Sequence, residues 1–562
     1  MEFKDFLYKR PDVKKTCEDL EALGKKIENS LDVEKIKTLI KEIENIKIEF
    51  ESMMVICSIR NTIDTTDKFY ETEQEFFDNE SPKYSSAITK ISKILVNHPK
   101  RCKLEKIYTS HWFKMMEVSL KTFDDSIMDE LVEESKLTTR YSKLLASCQI
   151  EYDGKINNLS QMGKYSTAVD RNVRLEASKL IDGFFASHEE ELDEIYDKLV
   201  KVRTKMAQKL GYENYLEFGY LRMGRTDYNY LDVRKYRKQV LDYIVPVSEK
   251  LFANQAKRIK ITDPEAFDMN LEFLDGNPTP KGNKDELVMK ASKMYSEMSL
   301  ETDEFFKYMV SGKLMDLETK KGKQGGGYCT YIPKYHAPFI FSNFNQTKGD
   351  VDVLTHEAGH AFEVYRASKH ITNPDLMWPT MEACEIHSMS MEFFAYPWMN
   401  SFFGDDERKY KISHMSGAIT FIPYGCLIDN FQEEVYLNYN MTPAERKECF
   451  RKLEKMYLPS KKYTYQPMWE KGCYWFRQQH VFNSPLYYID YTLAQVCAIE
   501  FYEKNLDNHN NAWHDYLHLC DLGGSMSFLE LLKEANLSNP FKEGTISKII
   551  NRLLPIIDSY SD

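Results

Sequence analysis

The 562-residue sequence lacks several features that would have assigned it to other protein classes. No apolar run approaches the length of a membrane span, no segment repeats at solenoid length, and there is no low-complexity tract. The 11 cysteines include no CxxC pair, which argues against a disulfide scaffold and against a cysteine zinc site. Charged residues occupy the N-terminal stretch where a signal peptide would be apolar, and a net charge of -12 disfavours nucleic acid. We therefore expect a cytoplasmic protein whose partners are neither membranes nor nucleic acids.

The composition, 42% hydrophobic and 29% charged, is that of a globular protein, and the length exceeds one compact core. Residues 25–81 contain neither glycine nor proline, and their helical periodicity predicts a long amphipathic helix, one arm of a hairpin. A second segment with helical periodicity covers residues 171–210, and the main flexible break in the chain is at 275–283. We predict an N-terminal helical hairpin or lobe over 1–170 and a helical catalytic domain over 171–562. The apolar residues of the first helix are Ile36, Leu39, Ile40, Ile43, Ile46, Phe50, Met53 and Cys57.

The most informative motif is the pentapeptide HEAGH at residues 356–360. If residues 350–368 are helical, His356 and His360 lie on one face, one turn apart, as two ligands of one ion require. Glu357 then projects beside the metal, where a carboxylate can take a proton from water, so HExxH is typical of metallopeptidases. The surrounding residues are apolar, with Asp350 and Asp352 as a cap and first-turn acids, which favours a buried helix. Asp352 is also a candidate for orienting His356.

A catalytic zinc usually takes a third protein ligand. The extended pattern HExxHxxGxxH is excluded, because Glu363 and Arg366 stand where it needs glycine and histidine. Two prolines then end the first helix, and a second helical run over 381–392 is predicted to pack back against it.

Several residues of that second run can complete the site. Glu385 is the preferred candidate, since it lies past the frayed first turn. Glu382 lies in the first turn, where an acidic residue often serves only to interact favourably with the helix dipole. Spacing alone leaves Glu382, Glu392 and His387 open as alternatives.

Two further segments carry chemistry. Residues 325–345 contain three glycines followed by an aromatic and β-branched run, which predicts an edge strand able to pair with an extended peptide, or else a hairpin with no ligand role. They lack the Lys-Ser/Thr pair of a phosphate loop. In the segment 477–491, Ser484 and Pro485 predict a helix that begins there, with His480 in the preceding loop. Tyr488 and Tyr491 fall on one face of that helix, and imidazole and phenol donors suit an oxyanion, although such a stripe is also typical of core packing.

Taken together, these residues resemble the thimet oligopeptidase and oligoendopeptidase F family of zinc peptidases. The HEAGH helix is followed by Glu385 at the spacing of that family, so the resemblance implies that Glu385 is the third ligand of one Zn²⁺ per chain. It also implies that 325–345 is the glycine-rich loop and substrate-side strand. The resemblance supports His480 with the Tyr488/Tyr491 pair as oxyanion donors. This chain has Asn-Ser-Pro where thimet-type relatives have Gly-Gly-Tyr, which leaves open which tyrosine touches the intermediate.

These observations predict a mainly α, multi-lobed helical metallopeptidase with a small β-sheet beside the HEAGH helix; the resemblance adds a deep substrate channel. The predicted activity is zinc-dependent hydrolysis of internal bonds in short unfolded peptides. His356, His360 and Glu385 hold the metal, Glu357 is the base, and the oxyanion donors are those named above. Two alternatives remain: a peptidase that trims dipeptides from chain ends, and a helical scaffold that binds peptides without cleaving them.

Overall fold

A computed structural model describes residues 1–559. The chain is 71% helical with small sheets, which confirms the prediction of a mainly α protein. It forms two compact units. The first comprises Met1–Phe123, Thr279–Glu407 and Cys497–Ser538, and the second comprises Asp124–Pro278, Arg408–Val496 and the segment that begins at Asn539. The predicted break at 275–283 contains one boundary between them. The division into domains at 170/171 stays a prediction, as does the deep channel.

The first unit is built on helices that bury one face each. Its principal helices are Val13–Glu28, Val33–Ile63, Lys68–Val96, Arg101–Tyr108, Ser110–Thr122, Lys284–Met298, Leu300–Ser311, Gly349–His370, Met381–Phe394, His509–Leu522 and Phe528–Glu534. No helix in the described part of the chain is long and apolar enough to cross a membrane.

The helix predicted within 25–81 is present as Val33–Ile63 and packs against Lys68–Val96, but it does not fill the whole stretch without glycine or proline. Asp32 and Asp67 interrupt the helical path. The Asp32 carboxylate accepts from Glu34 N at 3.0 Å, and the Asp67 carboxylate accepts from Phe69 N at 2.9 Å. Side-chain caps of this kind start new helices without any glycine or proline.

A three-stranded sheet precedes the HEAGH helix, as predicted. Its central strand, Ala337–Phe344, pairs in parallel with Met315–Glu318 and antiparallel with Tyr328–Ile332, so Tyr328–Ile332 is an edge strand. The central strand is buried along nearly its whole length, which its run of apolar residues requires. The HEAGH helix, Gly349–His370, begins shortly after this strand ends.

The second unit is also helical and carries a short hairpin, Ile150–Tyr152 with Lys155–Asn157. The stretch 171–210 forms two helices that meet at His188, whose Nδ1 lies 2.8 Å from Phe184 O. The principal helices of this unit are Met128–Ala146, Arg171–Ser187, Glu189–Lys209, Tyr215–Arg222, Tyr230–Gln239, Val245–Arg258, Glu407–Leu437, Pro443–Tyr457, Gln479–Asn483 and Thr545–Asp558. The helix Tyr488–Asp507 belongs to this unit as far as Val496.

The helix predicted to begin at Ser484 and Pro485 begins instead at Tyr488, and His480 lies in the short helix Gln479–Asn483 rather than in a loop. That prediction was wrong because Leu486 adopts a left-handed backbone conformation with φ 66°. A helix cannot run through such a residue. The Leu486 carbonyl accepts from Arg225 Nη2 at 2.7 Å, which holds the turn in place.

Candidate metal centre

The candidate metal centre lies on two helices of the first unit that pack on each other, Gly349–His370 and Met381–Phe394, called here the HEAGH helix and the Glu385 helix. The HEAGH helix starts differently from the sequence prediction. Lys348 occupies its N-cap position and provides no side-chain cap. Asp350 instead accepts from Asn345 N at 2.9 Å and from Gln346 N at 2.8 Å, which ties the preceding turn to the helix.

His356, His360 and Glu385 come together at the contact between these helices. Their potential ligand atoms all lie within 4.8 Å of one another. Glu385 Oε2 is 3.2 Å from His356 Nε2 and 3.5 Å from His360 Nε2. Ligand atoms held about 2.0–2.2 Å from a tetrahedral zinc lie about 3.4 Å apart. Two imidazoles and one carboxylate are also a known catalytic zinc set, so both the donors and their spacing fit the ion.

The geometry separates Glu385 from the alternatives that spacing left open. His387 is completely buried, and burial lowers its pKa to about 4. Glu382 is completely buried as well. Neither joins the group of ligand atoms found among residues 1–559.

Glu392 lies against the far side of the first histidine. His356 Nδ1 lies 2.6 Å from Glu392 Oε1, so the imidazole can donate Nδ1–H to this carboxylate and keep Nε2 for a metal. Asp352, the sequence candidate for orienting His356, lies with its carboxylate 3.7 Å from Lys348 Nζ. Glu392 was available in the sequence analysis only as one of several carboxylates. Its place seven residues after Glu385, two helical turns on the same face, was the signal for this role.

The charges in this group are strongly coupled. Burial disfavours the imidazolium of His356, but Glu385 and Glu392 outweigh burial and raise the pKa of His356 well above its usual value. Burial also disfavours the carboxylate of Glu385, yet His360 and His356 hold its pKa well below the usual range. A site that gathers this much negative charge around two imidazoles is suited to a cation.

Glu357 lies beside the three candidate ligands and next to the glycine-rich turn. It is 8% exposed, and burial raises its pKa against the opposing effect of the two histidines. A Cβ built on Gly327 would stand 3.6 Å from Glu357 Oε1, so the start of the edge strand passes close to this carboxylate. Asn343 fastens the turn by donating to Gln324 O and Gly326 O, both at 2.8 Å.

In the second unit, the structure brings His480, Tyr488 and Tyr491 together. The His480 ring centroid lies 5.0 Å from that of Tyr488 and 5.6 Å from that of Tyr491, and Tyr491 Oη is 3.5 Å from His480 Nε2. Burial raises the pKa of Tyr488, which therefore keeps its O–H proton. The three side chains form one cluster of potential hydrogen-bond donors.

Gln478 is a member of this cluster that sequence reasoning missed. Its Oε1 accepts from Tyr424 Oη at 3.0 Å, and its Nε2 lies 2.8 Å from His480 Nδ1. With the amide oxygen occupied by Tyr424, Nε2 donates to His480 Nδ1 and leaves the imidazole proton on Nε2. The neighbouring position of Gln478 and His480 in the sequence was the available signal, but Tyr424 is distant in the chain.

Comparison with known proteins gives two family matches. Residues 3–123 match the model described as Peptidase M3 N-terminal domain, and residues 165–549 match the model described as Peptidase family M3. No protein of curated function matches the chain.

Solved structures resemble the chain over its whole length. A Pz peptidase A solved with an inhibitor is 46% identical, with a TM-score of 0.96 and 100% of each chain covered. A putative oligoendopeptidase F is 46% identical, with a TM-score of 0.96 and coverage of 100% of this chain and 99% of that one. A putative oligoendopeptidase F from Bacillus anthracis str. Ames is 48% identical, with a TM-score of 0.91 and coverage of 100% and 98%.

Proposed function

The chain belongs to peptidase family M3, which makes it a metallopeptidase, and from this we propose that it is a zinc oligoendopeptidase. Its substrates in this proposal are short unfolded peptides, cleaved at internal bonds. The observation that carries the proposal is the group formed by His356, His360 and Glu385 with Glu357 beside it. The full-length similarity to proteins named as putative oligoendopeptidases F supports the substrate class.

His356, His360 and Glu385 would hold one zinc ion, with Glu392 fixing the orientation of His356. When bound, a zinc ion polarises a scissile carbonyl and lowers the pKa of water. The imidazole side chains are 23% and 12% exposed, while that of Glu385 is 5% exposed. The two imidazoles are thus partly open to solvent, from which a substrate can approach, whereas the Glu385 carboxylate lies on the buried side of the group.

Glu357 acts as the general base and then the general acid in this proposal. It takes a proton from the attacking water and passes it to the departing amine. Burial raises the pKa of this carboxyl, which makes its carboxylate a stronger base than an exposed glutamate. Gly327 lets the backbone of the edge strand approach Glu357 without a side chain between them.

His480 and Tyr491, with Tyr488, are the proposed donors to the oxyanion of the tetrahedral intermediate. The hydrogen bond from Gln478 leaves a proton on His480 Nε2, and a neutral imidazole with that proton is a donor. Removing one preorganised donor of this kind lowers kcat about 10²–10³-fold.

The 11 free cysteines accord with a reducing compartment, and we keep the cytoplasm as the proposed location.

Glu357→Gln tests the mechanism directly. The variant should bind zinc in a one-to-one ratio, measured by metal analysis, but lose about 10²–10⁴ in kcat on an internally quenched peptide. Glu304→Gln is the matched control. Glu304 accepts hydrogen bonds from Tyr365 and Lys369 near the end of the HEAGH helix and has no role in the proposed mechanism. Full activity in Glu357→Gln would remove the proposed mechanism.

A second assay separates the alternatives. The wild-type protein should cleave a peptide blocked at both ends, and a chelator should abolish cleavage. Loss of dipeptides from free peptides without cleavage of the blocked one would indicate end trimming. Metal-free protein without activity after zinc is supplied would favour the non-catalytic scaffold.

A further inference from the structure

The second unit contains a cavity of about 830 Å³ that no catalytic role so far explains. It lies between the helix Val245–Arg258 with the turn that follows it, the helix Glu407–Leu437, and the segment 458–474. Ligand sites in proteins typically measure about 300–1,000 Å³. The cavity is therefore large enough for a bulky side chain together with the backbone that carries it.

The walls of the cavity are mainly apolar. Ala253 and Ala256 stand one turn apart on their helix, and their small side chains leave the space open. An aromatic or aliphatic group that entered would bury apolar surface at about 25 cal/mol per Å². Other apolar parts of the wall are formed by Phe252, Ile261, Met269 and Leu458.

Three lysines give the cavity a positive character. Lys257 and Lys260 are exposed at its edge, and neither forms an ion pair among the described residues. Lys461 is less exposed, with Nζ 3.7 Å from the ring centroid of Tyr474 and 3.6 Å from Glu454 Oε1. Burial alone would raise the pKa of Tyr474, but Arg477 and Lys461 lower it, as a positive local potential requires.

Two acidic residues of the wall are held by hydrogen-bond donors of the segment 458–474. Glu249 accepts from Ser460 Oγ at 3.1 Å. Glu265 is buried and accepts from Thr464 N at 2.9 Å. In a chain whose net charge is -12, an apolar cavity with three lysines is complementary to an apolar group that carries a negative charge.

We propose that this cavity binds the C-terminal residue of a peptide, with an apolar side chain against the walls and the free carboxylate toward the lysines. The identification of the ligand as a peptide rests on the proposed function. A structural link supports it: Tyr424 lines the cavity and donates to Gln478, which in turn positions His480. The cavity and the proposed oxyanion donors thus share one hydrogen-bonded chain of side chains.

Binding can be measured without turnover in the full-length, zinc-loaded Glu357→Gln protein. Calorimetric titration would compare pentapeptides that end in phenylalanine as the free acid, in phenylalanine amide and in serine. We expect the amide to bind about tenfold more weakly, since a carboxylate bonded to an ammonium is lost, and the serine peptide to bind more weakly as well.

Lys461→Met should abolish the difference between free acid and amide. Lys462→Met is the matched control, because Lys462 pairs with Asp263 at 2.5 Å and does not line the cavity. Ala253→Phe, at an exposed helix position with little cost to folding, should occupy part of the cavity and weaken the preference for a terminal phenylalanine.

Equal binding of acid and amide, or equal effects of the two lysine variants, would overturn the inference. Binding of 4-phenylbutyrate as tight as that of the peptide acid would also overturn it, since the site would then recognise any apolar carboxylate. Because the titration needs no hydrolysis, an acid preference without any cleavage by the wild-type enzyme would refute the proposed function alone. Cleavage without the preference would refute only this inference.

Discussion

Replacing Gly359 by alanine should damage the metal centre although it adds a good helix former to a helix. A Cβ at Gly359 would stand 2.6 Å from Ser388 Cα, 2.8 Å from His387 O and 3.0 Å from Met391 Cβ. The first two atoms belong to the backbone of the Glu385 helix, which cannot rotate out of the way as a side chain can. Gly359 is therefore the point at which the two ligand-bearing helices touch.

The size of the effect follows from these distances. Real Cβ atoms essentially never approach closer than 3.0 Å, and ordinary contact begins at 3.4 Å, so from 2.6 Å the helices must separate by 0.4 Å at the least and by 0.8 Å for ordinary contact. Metal–ligand distances tolerate about 0.2 Å. Glu385 would thus leave the range of His356 and His360, and we expect zinc affinity to fall at least about tenfold. Overpacking also costs about 1–3 kcal/mol, against a gain in helix propensity of about 1 kcal/mol.

Gly417→Ala is the matched control for this experiment. Gly417 lies inside the helix Glu407–Leu437, and a Cβ built there meets nothing within 4 Å. This variant should gain up to about 1 kcal/mol in the free energy of unfolding and leave zinc binding unchanged. Zinc affinity is measured by competition with a chromogenic chelator, and stability by denaturant unfolding of the metal-free proteins.

Two outcomes would contradict this expectation. If Gly359→Ala bound zinc with wild-type affinity and gained stability as Gly417→Ala does, the close approach of the helices would not govern the site. A loss of stability without a loss of zinc affinity would show that the helices move together and keep the ligands in register.

Three further predictions concern single side chains. Glu392→Gln should lower zinc affinity about 10–100-fold in a chelator competition, because His356 loses its charged partner; Glu304→Gln should not. Gln478→Leu should lower kcat about tenfold with unchanged zinc content, because the proton on His480 Nε2 is no longer fixed. Burial raises the pKa of Asp429 to about 6, whereas it is about 4 when unfolded. The folded state then holds the proton more tightly, so wild type should lose free energy of unfolding, relative to Asp429→Asn, as pH rises from 4 to 6 in denaturant titrations. A parallel pH dependence of the two proteins would contradict this.

The match to peptidase family M3 confirms the resemblance that the motifs indicated. Local patterns were sufficient for much of the site. The four-residue spacing of His356 and His360 fixes both on one helical face whatever surrounds them. The edge strand followed from its glycines and its aromatic and β-branched run, and the two helices followed from their apolar spacing and the proline positions.

Predictions failed where a helix end depended on distant contacts. Leu486 turns left-handed next to Arg225, which is 261 residues away in sequence, and no local propensity anticipates that. Glu392 and Gln478 likewise gained their roles from neighbours that only packing supplies.

The sequence by itself determined the helix that carries His356 and His360 and the family to which the chain belongs, because these depend on residue type and on spacing within a turn or two. Only the tertiary structure decided that Glu385 Oε2 lies near both imidazoles, that Glu392 lies against His356 Nδ1, and that the two helices touch at a glycine. Those outcomes depend on contacts between segments far apart in the chain, and such contacts are set by the packing of whole helices rather than by local preference.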